Sequence, residues 1–181
     1  MSKKVSPEYE DLFMLTREEV EEMRNDAQNG DEQAAIAYAN WLVWVDDNDA
    51  DSYEKARLIL EELYKGGSME AASALYELCF KGLGGPVDRE RAARLLEESL
   101  AAGCEYAYRK KLRNMVFGLR GMKADPQQAL DDVLAAIALR EEQDLPSDPW
   151  LTYYRGCAVE QLQNRTAALP FFEEAVQGGV V

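Results

Sequence analysis

Apolar residues return at spacings of three and four along most of the chain, the mark of amphipathic helices rather than strands. The pattern is cleanest from Met69 to Phe80, where Ala71, Ala74, Leu75, Leu78 and Cys79 share one face. The stretch Lys81 to Val87, KGLGGPV, stops that helix with glycines and a proline. Asp88 then stands as an N-cap, its carboxylate accepting from the free amides of the next turn and matching the positive helix end. A second helix, Arg89 to Ala102, turns Ala92, Leu95, Leu96, Ser99 and Leu100 inward, and Gly103 supplies the left-handed residue that ends it. Similar signals occur on either side. Thr16 and Glu19 form a capping box, which predicts a helix from Arg17 to about Asn29. Its apolar face is Val20, Met23 and Ala27; its other face is acidic, as on a solvated end. Leu12, Phe13, Met14 and Leu15 precede it and are expected to pack on the first hairpin. Asp125-Pro126 is another start signal, with proline at the first helical position. After the loop QDLPSDP, a last pair spans Trp150 to Gln163 and Ala167 to Gln177, with Pro170 expected in the first turn of its helix. The expectation is an all-α chain of about nine helices and no sheet.

The helices recur as pairs. Gly30, Gly67 and Gly103 lie 37 and 36 residues apart, and each is followed four residues later by Ala34, Ala71 or Ala107. Asp51, Asp88 and Asp125 follow 17 or 18 residues later, then Ala56, Ala92 and Ala129 after four or five more. Eleven residues beyond those alanines come Gly67, Gly103 and Arg140, so only the third unit lacks its closing glycine. A hairpin of this size cannot bury both its apolar faces alone, and small residues at Ala71, Ala92 and Ala107 allow neighbours to approach closely.

Composition narrows the chemistry. The 181 residues include no histidine, which removes Ser-His-Asp and Cys-His catalysis and His-ligated zinc. Cys79, Cys104 and Cys157 are odd in number and widely spaced, so they read as reduced thiols of a cytoplasmic protein. No signal-peptide core and no run of 18 apolar residues is present. The net charge of −14 argues against nucleic acid as a partner and for a basic protein. That charge is uneven. Residues 1 to 66 carry 17 acids and 7 bases, residues 67 to 124 carry 7 and 10, and residues 125 to 181 carry 10 and 3.

Ala71, Leu75, Gly82, Gly84, Asp88, Ala92, Leu95, Leu96 and Gly103 together resemble the Sel1-like repeat, a relative of the tetratricopeptide repeat. The resemblance covers roughly residues 30 to 140. It is weaker on either side of the middle unit: Val45 stands where a loop glycine belongs and Lys111 at a usually apolar position. Gly156, Ala168, Phe172 and Ala175 resemble a tetratricopeptide unit. The implied organisation is a capping helix over 1–29, three Sel1-like repeats over 30–142 and a tetratricopeptide-like hairpin over 143–181. The resemblance implies an α-solenoid, a superhelix whose first helices line a concave, protein-binding face. Carried onto this chain, that face holds Ile36, Asn40, Trp44, Ser73, Glu77, Phe80, Tyr106, Arg109, Arg113, Phe117, Trp150 and Tyr153. Aromatics and charges mixed in this way suit a contact surface, although each aromatic has the alternative of packing between hairpins. Trp41 and Trp44 share a face, and Trp44 is expected to be the more open.

Other candidates are weaker. Asp46, Asp47, Asp49 and Asp51 suggest calcium, but counting from Asp47 puts Ser52 where an EF-hand needs glycine and Leu58 where it needs glutamate. They read instead as an acidic loop in which Asp51 or Ser52 caps the next helix, with Asp46, Asp47 and Asp49 available to cations of a partner. Glu61-Glu62, Glu97-Glu98 and similar pairs lie on helix faces that normally meet water, without the environments that tune an acid pair. Gly82, Gly84 and Gly85 lack the Lys-Ser/Thr of a phosphate loop. The cations Arg109, Lys110, Lys111 and Arg113 read as a solvated face partnered by acids such as Glu70 and Glu77, or as a notch for a partner's carboxylate. No catalytic constellation, metal site or cofactor is expected. The expected role is a non-catalytic interaction module, most specifically an acidic immunity or inhibitor protein covering a basic toxin or effector. The alternative is a peptide-binding adaptor or chaperone-like scaffold.

Overall fold

The computed structural model describes residue 12, residues 14–45 and residues 49–180. Among these the chain is all-helical, with nine helices and no strand. They are α1 (Arg17–Gln28), α2 (Glu32–Trp44), α3 (Ala50–Lys65), α4 (Met69–Lys81), α5 (Arg89–Ala101), α6 (Glu105–Phe117), α7 (Pro126–Glu142), α8 (Pro149–Leu162) and α9 (Arg165–Gln177). Helices adjacent in sequence pack on one another, as in an α-solenoid: α1 on α2, α2 on α3, α3 on α4, α4 on α5, α7 on α8 and α8 on α9. Contacts divide the chain into two compact units, Met1–Ala107 and Tyr108–Val181. None of the helices is long and apolar enough to cross a membrane.

Local chemistry explains where the helices begin. Thr16 and Glu19 form the full capping box, and the Asp88 carboxylate accepts from the Arg91 amide at 2.8 Å. Asp31, Ser68, Asp125, Asp148 and Asn164 cap their helices in the same way. The cap of α3 is Asp49, whose carboxylate accepts from Ser52 at 2.7 Å, rather than Asp51 or Ser52. Asp49 sits far enough back for its oxygen to reach the third helical amide.

The repeat glycines mark where every second helix ends. After α3, the Ser68 amide donates to Leu63 O at 3.0 Å and the Gly67 amide to Tyr64 O at 2.9 Å, with Gly67 at φ +100°. The same pair of bonds closes α1, α5, α7 and α9. In α7 the left-handed position is held by Asp144, at φ 53°, with Leu145 donating to Arg140 O at 2.9 Å. The third unit thus closes with an aspartate four residues beyond Arg140, because α7 runs on to Glu142. Pro170 also departs from expectation. Since α9 begins at Arg165, the proline lies inside the helix beyond its first turn, where its missing N–H leaves one helical bond unmade.

In the first unit the core gathers Ala39, Leu42 and Val43 of α2, Ala56 and Leu60 of α3, Leu75 and Leu78 of α4, and Ala92 and Leu95 of α5. Each fully buried leucine contributes about 1.5–3 kcal/mol of transfer free energy. α4 packs on α2, α3 and α5, and every residue from Ala71 to Cys79 is buried. Its run of small residues, Ala71 to Ala74, admits those neighbours at close range. Polar ties also join the helices of this unit. The Ser99 hydroxyl lies 3.0 Å from Met69 O, holding α5 to the start of α4. Arg91 of α5 pairs with Glu61 of α3 at 2.5 Å.

In the second unit Leu112, Met115 and Val116 of α6, Ala129 and Val133 of α7, and Leu151, Tyr154, Cys157 and Ala158 of α8 form the core. The turn before α7 repeats the one before α5. Asp125 donates its amide to Met115 O at 2.8 Å, as Asp88 does to Cys79 O at 2.9 Å.

Candidate functional site

Several expected contact residues are not open. Ile36, Ser73 and Glu77 are buried, with Glu77 only 2% exposed and its carboxylate 3.5 Å from Lys81 Nζ. Ser73 and Glu77 face packed neighbours because α4 is enclosed by α2, α3 and α5, and Ile36 of α2 belongs to the first core, so all three are corrected from contact positions to interior ones. Trp44 and Trp41 are both half-buried. Lys81 Nζ stands 4.1 Å from the centre of the Trp44 ring, and Trp41 stacks on Tyr38. Asn40, Phe80 and Arg113 are half-buried, and Arg89 lies over Phe80.

In the second unit Arg109 belongs to an internal ion pair. Its Nη2 lies 3.2 Å from both carboxylate oxygens of Asp148, and its guanidinium lies 5.4 Å from the Trp150 ring. Asp148 also caps α8 by accepting from the Trp150 amide, so one carboxylate orders both the cation and the helix start. Lys111 pairs with Asp132 at 2.7 Å, and Lys110 is buried. Burial pushes the Asp132 carboxyl up, but the bonds from Lys111 and Gln128 outweigh it and hold the group below its ordinary value. Burial beside Asp132 raises the Tyr108 hydroxyl to about 12. The described partners of Arg109 and Lys111 are therefore Asp148 and Asp132, while Glu70 accepts from Gln33. Trp150 and Tyr153 are half-buried and pack edge-to-face, with Tyr153 also against Tyr154 and Phe172.

Tyr106 and Phe117, at 46% and 43% exposure, are the members of the expected set that stand in water. Asp49 is also exposed, and its capping bond to Ser52 lowers its carboxyl from the ordinary value. Asp46 and Asp47 lie outside the described residues.

Tyr106 also borders a groove of the first unit. The N-terminal turns of α2, α4 and α6 line an open groove of about 570 Å³ in the first unit. Its floor includes the helix-closing residues Gly66, Gly67, Ala102 and Gly103. Its walls carry Glu32, Glu70, Glu105, Gln33 and Tyr106. The Gln33 amide donates to Glu70 at 2.7 Å and fixes that carboxylate across the gap between α2 and α4. The groove therefore combines three carboxylates with one exposed aromatic ring. Its chemistry suits cationic side chains: carboxylates accept from ammonium or guanidinium groups, and a phenol ring can cover their aliphatic stems. The signal for Glu32 and Glu105 was present in the repeat register, since each stands two residues after a closing glycine.

No family model matches the chain, and no curated protein matches it.

Proposed function

We propose that the chain is a non-catalytic protein–protein interaction module of the Sel1-like, tetratricopeptide-related kind. It binds a basic segment of a partner protein along the edge formed by the N-terminal turns of α2, α4 and α6. The groove bearing Glu32, Glu70, Glu105 and Tyr106 is the observation that carries this reading. Lysine or arginine side chains entering it would meet carboxylates already spaced by three helix ends, and Tyr106 supplies the apolar contact that charge alone lacks. The net charge of −14 adds long-range attraction for the same partner.

Within that class, the more specific role is an acidic inhibitor or immunity protein that covers a basic toxin or effector. An open, rigidly set acidic edge suits the capture of a folded basic surface. The alternative is an adaptor or chaperone-like scaffold that takes extended peptides. Three free thiols suit a reducing, cytoplasmic setting for either role.

Affinity capture on the full chain tests the reading, with the partner identified and its binding measured by calorimetry. One dominant basic protein, bound with loss of its activity, supports the inhibitor role. Several weakly bound proteins support the adaptor. In both cases the triple change Glu32→Gln, Glu70→Gln and Glu105→Gln should weaken binding by about tenfold or more and flatten its salt dependence. Unchanged affinity and salt dependence would remove the groove from the proposal.

A further inference from the structure

A second cavity, of about 360 Å³, lies wholly within the second unit. The last turns of α7, the loop leading to α8, the first half of α8 and Glu174 of α9 enclose it. The spacing of the residues explains why they converge. Leu151, Thr152 and Arg155 lie on one face of α8, and Ile137, Arg140 and Glu141 on one face of α7.

The roof is held in place. Arg140 Nε donates to Pro146 O at 3.0 Å, and Leu145 donates back to Arg140 O at 2.9 Å. Asp148, at the inner end of the loop, is occupied by Arg109. The cationic group left for a ligand is Arg155. Its guanidinium lies 4.4 Å from the Phe171 ring centre, and among the described residues no hydrogen bond or ion pair engages it. The ring holds the cation from one side and uses none of its N–H donors, which are left for a ligand. Thr152, one turn earlier on α8, brings a hydroxyl to the same cavity. Ile137, Leu151 and the 47% exposed Leu145 supply an apolar wall.

We propose that this cavity binds a carboxylate carried on an apolar group, with Arg155 gripping the carboxylate and Ile137, Leu145 and Leu151 taking the apolar part. A planar carboxylate matches a guanidinium fork in two parallel bonds. A doubly charged phosphate fits poorly, because Glu141 and Glu174 line the same space. The same chemistry occurs in a free apolar amino acid and at the C-terminus of a peptide. A free amino acid would also place its ammonium against Glu174.

Calorimetry or chemical-shift titration of the full chain with leucine, N-acetyl-leucine and leucinamide tests this. A ligand of so few atoms should bind with a dissociation constant on the order of a millimolar. Leucine and N-acetyl-leucine should bind, and leucinamide should bind about tenfold more weakly or not at all. Leucine tighter than N-acetyl-leucine identifies the free amino acid as the source; equal or reversed order identifies the peptide terminus. Arg155→Gln should abolish binding, and Arg155→Lys, which keeps the charge but loses the fork, should weaken it. If Arg155→Gln fails to fold, the comparison of N-acetyl-leucine with leucinamide on the unaltered chain still decides. Equal binding of those two, no binding of any, or binding unaffected by Arg155→Gln would overturn the proposal.

Discussion

Gly156 of α8 stands face to face with Phe172 of α9: a methyl group on the glycine would lie 2.6 Å from Phe172 Cε1 and 2.8 Å from Cδ1. The missing side chain lets the ring approach α8 closely at Gly156 while it also packs on Tyr153. In an open helix, replacing glycine by alanine would stabilise by roughly 1 kcal/mol. Here overpacking outweighs that gain. Gly156→Ala should therefore lower stability by about 1–2 kcal/mol in urea unfolding. Adding Phe172→Leu should recover part of the loss, which a purely local helix effect would not allow.

Left-handed positions should respond according to what surrounds them. At Gly67 a side chain meets open space, so Gly67→Ala should cost only the backbone penalty, about 1–2 kcal/mol. At Gly84, also left-handed at φ +65°, a side chain would lie 2.3 Å from the Tyr53 carbonyl oxygen. Backbone there cannot move aside, and Gly84→Ala should cost roughly 3 kcal/mol or more. Asp144→Gly should do the reverse and stabilise by about 0.5–1 kcal/mol, because it relieves a non-glycine at φ 53°. Thermal or urea midpoints of the three variants give the order directly.

The Arg91 hydrogen bond holds the Glu61 carboxyl below its ordinary value of 4.5, with Arg57 adding to the effect. A carboxyl whose folded value is depressed contributes stability above its unfolded value and loses it as pH falls through the folded one. Glu61→Gln should therefore cost about 1–2 kcal/mol at neutral pH. That difference should shrink progressively below about pH 4.5, as the native glutamate itself becomes neutral. Urea midpoints for both proteins at neutral pH and across the acid range would show whether the curves converge.

Half-buried and exposed aromatics should separate in their effects. Trp44 lies under Lys81 and packs against the first core, so Trp44→Ala should lower stability by about 3 kcal/mol or more. Tyr106 is exposed at the groove, so Tyr106→Ala should leave stability within about 0.5 kcal/mol. The same Tyr106→Ala change should weaken partner binding by at least about 1 kcal/mol. Melting curves and partner affinity, measured side by side, distinguish the two roles.

The helices and their punctuation were legible because they rest on local rules. Thr16 with Glu19, Asp88 and Gly103 each act within a few residues of where they stand. Asp144 was not legible, because the left-handed role had passed from glycine to aspartate and α7 is longer than α5. The burial of Ser73 and Glu77 escaped for another reason. A polar residue on a helix face suggests solvent, and only the number of helices packed on α4 removes it. Pairing was equally hidden: Arg109 and Asp148 are 39 residues apart, and nothing local selects Asp148 over the nearer acids. The groove was half visible, since the register singles out Tyr106, while Glu32 and Glu105 are first-turn acids of the kind that many helix starts carry.

Gly67 and Gly103 close α3 and α5 with the same pair of bonds, and each hands the chain directly to the start of the next helix. The 36 residues from Ser68 to Gly103 therefore form a cassette with matching ends. Copied in tandem, the segment would join Gly103 to Ser68 through a turn of the kind already found at both places, with no new loop to invent. Length is thus a variable that this chain can change by whole hairpins, and the acidic edge could be extended by one more helix end at each step.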